Sequence, residues 1–175
     1  MHRLFSGLAV VLAFGVAGCT NSSTSPSTSK AASTPPKFLS TLLPANEVPA
    51  VSNVDKDGSG VASMTLNVTK DSAGNVTAAT IDFSVSLTGF PAGTSLTGAH
   101  IHQAAAGATA GILVSTTIAS GEIVLANGST TFVRNGITLD AAVAQGIINN
   151  PAGYYFNVHT TANPGGAARG QLVAQ

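Results

Sequence analysis

Apolar and polar residues alternate one by one through two long stretches of this chain. Ala62, Met64, Leu66 and Val68 alternate with Ser63, Thr65 and Asn67, and Ile81, Phe83, Val85 and Leu87 with Asp82, Ser84 and Ser86. A period of two belongs to extended backbone, whose side chains point to opposite faces in turn, so both stretches read as strands with one buried face. Asp71-Ser72-Ala73-Gly74-Asn75 lies between them and predicts a hairpin with a glycine-containing loop. Asn127-Gly128 separates residues 122–125 from residues 130–133 and suits a type I′ turn, because both residue types tolerate positive φ. Further strands are expected at residues 38–43, 96–102, 111–117, 154–160 and 170–173. Thr138 to Gln145 departs from the alternation: a capping hydroxyl at Thr138 followed by good helix formers predicts a short helix, closed by Asn149-Asn150-Pro151. The fold class is therefore all-β, an antiparallel Greek-key sandwich or a flattened barrel with one short helix.

Three segments follow from composition. Residues 1–18 combine a basic start at Arg3, an apolar run from Leu8 to Val16 and the small residues Ala17 and Gly18, which reads as an export signal. Val16-Ala17-Gly18-Cys19 resembles the lipobox of bacterial lipoproteins, which implies cleavage before Cys19 and lipidation of its sulfur. The apolar run is shorter than the roughly 20 residues of a spanning helix, and acyl chains would anchor the chain without one. Residues 19–36 are almost wholly Ser, Thr, Pro, Ala and Asn, a composition too poor in apolar surface to fold, and so a disordered tether. Its reach as a flexible coil is roughly 20–25 Å. Thr20 stands where the resemblance would require aspartate for inner-membrane retention, which favours an outer-membrane or cell-surface address. Residues 37–175 form one β domain. Only 8% of the chain is charged and the net charge is zero, so there is no basic stripe to serve nucleic acid. With Cys19 the single cysteine, the domain must hold by packing without an internal disulfide.

Three of the four histidines fall in Ala99-His100-Ile101-His102 and Asn157-Val158-His159-Thr160. On strands, His100 and His102 share a face, and His159 shares one with Tyr155 and Asn157, opposite the apolar Tyr154, Phe156 and Val158. Were the two strands neighbours, three imidazoles would converge in a way that suits copper or zinc. The plain alternative is that the histidines are only hydrogen-bonded.

Other motifs are weaker. Asp55-Lys56-Asp57-Gly58-Ser59-Gly60 copies the first half of a calcium loop, but its twelfth position is Leu66 where a glutamate is needed, so it reads as a polar turn. Ser27-Thr28-Ser29-Lys30 has an acyl-enzyme spacing but lies in the tether. No nucleophile elbow or phosphate-cradling loop occurs, and no catalytic residue is assigned. Pro164-Gly165-Gly166 turns the chain back as a last strand that carries Arg169 toward the histidines, where it attracts an anion or pairs with Glu47 or Asp82.

Taken in order, Leu43-Pro44-Ala45-Asn46-Glu47-Val48-Pro49, Gly58-Ser59-Gly60, Ala99-His100-Ile101-His102, Asn157-Val158-His159-Thr160 and Pro164-Gly165-Gly166-Ala167-Ala168-Arg169-Gly170-Gln171-Leu172 resemble the CHRD domain, named for its occurrence in chordin. The resemblance implies an all-β domain of exported bacterial proteins and of an animal antagonist of bone morphogenetic proteins, and supplies no activity. A weaker likeness, to copper-zinc superoxide dismutase, touches His100, His102, His159 and Arg169, while that enzyme's further ligands and disulfide have no counterpart here. The expected function is a lipid-anchored binding protein of the cell envelope, with a copper or zinc ion at His100, His102 and His159 and with Arg169 and Glu47 as accessory residues. Its partners are the membrane, through the N-terminal lipid, and a protein or polysaccharide. A structural or adhesive module without metal is the main alternative, and a copper-dependent oxidoreductase the third.

Overall fold

The computed structural model describes residues 34–175. The export signal, Cys19, the Ser27–Lys30 motif and the tether through residue 33 lie outside the described residues. Ten strands and one helix follow in chain order: β1 (Lys37–Leu42), β2 (Ser59–Lys70), β3 (Val76–Thr88), β4 (Thr94–His102), β5 (Ile112–Ser115), β6 (Val124–Leu125), β7 (Thr130–Leu139), α1 (Ala141–Asn149), β8 (Tyr155–Thr160), β9 (Ala168–Gln171) and β10 (Val173–Ala174). All pairings are antiparallel. One sheet runs β10-β1-β2-β3-β7; the other runs β5-β4-β8-β9, with β6 paired to the start of β4.

The alternation read from the sequence decides which faces meet. Ala62, Met64 and Leu66 of β2 and Ile81, Phe83 and Val85 of β3 are buried, and they face Ala99 and Ile101 of β4 and Phe156 and Val158 of β8 in one apolar core. Phe83 and Phe156 touch across the two sheets, ring centroids 5.7 Å apart. The result is a two-sheet sandwich, not a closed barrel. The two sheets meet at one corner, where Leu43, just past β1, bridges to Arg169 of β9.

The hairpin expected at residues 71–75 forms between β2 and β3, pinned by Asp71, whose carboxylate accepts the backbone N–H groups of Ala73 and Asn75. The Asn127-Gly128 reading needs correction. Gly128 turns with φ +74, but Asn127 does not share the positive φ of a type I′ turn, and the flanking strands do not pair. Instead β6 joins β4 and β7 joins β3, so the turn carries the chain from one sheet to the other. The helix cap also differs. Thr138 belongs to β7, and Asp140 caps α1 by accepting the N–H groups of Ala142 and Val143. Asp55 lies in a turn before β2, and Leu66, at the twelfth position of the calcium pattern, is fully buried in the core.

Candidate metal centre

In β4, Ala99 and Ile101 enter the core, so His100 and His102 must emerge on the opposite face. In β8, Phe156 and Val158 do the same and send Tyr155, Asn157 and His159 outward beside them. The two strands are direct neighbours, with His100 opposite Asn157, Gly98 opposite His159 and His102 opposite Tyr155. Gly98 makes room: a Cβ there would lie 2.6 Å from Cε1 of His100, so a larger residue would displace that ring. The expected convergence occurs. One ring nitrogen from each of His100, His102 and His159 lies within 4.8 Å of the others.

Much of this outward face is covered, with His100 half-buried. His102, Tyr155, Asn157, His159 and Arg169 are all buried, because residues 43–58 and 103–111 fold across it. The second of these loops works through its main chain. The carbonyls of Ala110 and Gly111 accept from His102 Nδ1 at 3.0 and 2.9 Å, that of Ala108 accepts from Arg169, and that of Ala104 from Gln171. β4 and β5 shift register between Ile101 and His102, the residue that meets these carbonyls. The carbonyl of Pro164 takes the Nδ1 hydrogen of His159 at 2.9 Å. Carbonyls only accept, so each ring in its neutral form carries its proton on Nδ1 and its lone pair on Nε2. Orientation of this kind is what metal-bound histidines receive from their surroundings.

His100 has no such partner, and its Nδ1 is buried without a hydrogen bond. Burial, and then the nearby His159 and His102, push its pKa down to about 4. His159 is also held below the usual histidine value, mainly by burial, with the Pro164 bond opposing. Both shifts favour neutral imidazole, the form that binds metal.

The accessory pair lies alongside. Arg169 approaches Glu47 with Nε 3.8 Å from Oε2, and bonds the carbonyls of Asn46 and Ala108. Its guanidinium lies 4.6 Å over the ring of Tyr155, which stacks on His102. Of the two carboxylates expected for Arg169, Glu47 is therefore the partner; Asp82 bonds Asn67 and the N–H of Gly136 instead. Burial raises Glu47 to about 7, against the pull of Arg169 and of the Asn157 amide. Glycine is required at Gly166, where φ is +140 and a Cβ would meet the Glu47 carboxylate at 2.7 Å. Asp55 ties the site's far end together, its Oδ2 accepting from Thr160 and Asn163, both at 2.6 Å.

Asn157 is the residue that sequence reasoning left without a role. Its Oδ1 stands 3.0 Å from Nε2 of both His102 and His159. The available signal was its place two residues before His159, on the same strand face.

A family match to the CHRD domain spans residues 38–172. No curated protein and no solved structure matches the chain. The likeness to copper-zinc superoxide dismutase, drawn from His100, His102, His159 and Arg169, thus finds no support. With the five ordered motifs inside the matched span and an all-β sandwich beneath them, the chain belongs to the CHRD domain family.

Proposed function

We propose that this CHRD domain binds one copper or zinc ion through His100, His102 and His159, as a lipid-anchored binding protein of the cell envelope. The observation that supports it best is the pair of Nδ1–H bonds from His102 and His159 to backbone carbonyls, which turn both Nε2 atoms inward. Imidazole nitrogen suits both ions, and ligation by neutral rings releases no proton until the histidines begin to charge. Burial of His100 and His159 favours their neutral, metal-binding form. The anchoring half of the proposal rests on Cys19 and its flanking residues. Titrating zinc and copper separately into the purified chain should give one equivalent of binding that disappears in the His100→Ala/His102→Ala/His159→Ala variant. Equal binding by that variant would leave the structural or adhesive module as the better account.

A further inference from the structure

Asn157 faces His100 across the β4–β8 pair and is 2% exposed. Its Oδ1 and the two Nε2 atoms of His102 and His159 are three acceptors drawn together at 3.0 Å, with no hydrogen among them as long as both rings are neutral. Turning the amide over would supply its NH2 group to the rings. With the amide as it stands, a cation among Oδ1 and the two Nε2 atoms gives all three acceptors a partner at once.

Building on the three-histidine reading, we infer that Asn157 Oδ1 is the fourth donor to the metal, completing a set of three imidazole nitrogens and one amide oxygen. Ligands of tetrahedral zinc, at about 2.0–2.2 Å from the ion, stand roughly 3.3–3.5 Å apart. Oδ1 already lies close to that separation from two of the three rings. Among the described residues the only sulfur belongs to Met64, fully buried in β2, so the set favours Zn(II) or Cu(II) over Cu(I). Four protein donors close the coordination sphere, as in sites that retain a metal, whereas catalytic sites keep a position open. The site therefore belongs to a holding or delivering role.

The test compares the full-length chain with Asn157→Ala and Asn157→Asp. Zn(II) affinity is read by competition with a chromogenic chelator, and coordination by the visible spectrum of the Co(II)-loaded protein. Far-UV circular dichroism checks folding. Asn157→Ala should bind Zn(II) roughly 10- to 100-fold more weakly and lose the four-coordinate Co(II) bands. Asn157→Asp, with an anionic oxygen in the same place, should bind at least as tightly as the wild type. Unchanged or tighter binding by Asn157→Ala, with an unchanged Co(II) spectrum, would overturn the assignment and leave the three histidines standing. Should Asn157→Ala not fold, weaker binding by Asn157→Asp than by the wild type overturns it. A wild type that binds neither Zn(II), Co(II) nor Cu(II) overturns the three-histidine reading itself.

Discussion

Glu47 and His100 are shifted in opposite directions by the same cause, burial. Glu47, raised from 4.5 to about 7, holds its proton more tightly in the folded chain than in the unfolded one. Its contribution to stability is complete below pH 4.5 and is lost as pH rises through 7. His100, lowered from 6.5 to about 4, contributes above pH 6.5 and loses that contribution as pH falls through 4. Between pH 4.5 and 6.5 the two slopes oppose each other. Replacing Glu47→Gln removes one of them, so metal-free Glu47→Gln should lose more stability than the wild type when acidified from pH 6.5 to 4.5. Urea midpoints across that range check it, and parallel curves for the two proteins would count against it. At this scale the sequence made the His-x-His face legible, because period two alone puts both rings on one side. It could not make Asn157 legible, since its role depends on which nitrogen each ring keeps free, and loop carbonyls decide that.

β8 is the element that ties fold to site. Its one face carries Phe156 and Val158 into the core and its other carries Asn157 and His159, and all six of its residues are buried. Phe156 is fully buried against Phe83 of the facing sheet, so Phe156→Ala should cost about 3–5 kcal/mol. Denaturant unfolding of the metal-free variant measures this directly. A loss below about 1 kcal/mol would mean that the sheets repack without the ring. Strands were legible wherever alternation ran long, as in β2 and β3. Their partners were less so: Asn127-Gly128 looks like a local hairpin, yet Leu125 and Thr130 pair with Thr94 and Leu87 in different sheets. Likewise, the β7 alternation runs on through Leu139, which is buried, and so takes Thr138 from the helix start and leaves the cap to Asp140.

For the whole molecule, the proposed address depends on one atom, the sulfur of Cys19. Cys19→Ser should move the chain from the membrane fraction to the soluble fraction on cell fractionation, with its metal binding intact. A variant that still sediments with membranes would remove the lipid anchor from the proposal. The described domain also shows how a sandwich can keep a polar layer outside its apolar one. The loop at residues 103–111 reaches that layer through the carbonyls of Ala104, Ala108, Ala110 and Gly111, while most of its side chains stand in solvent. Its lettering is thereby uncoupled from its duty: a dye, an affinity tag or a run of charges attached at Ala105 or Thr109 would report on the centre from a few residues away without editing it.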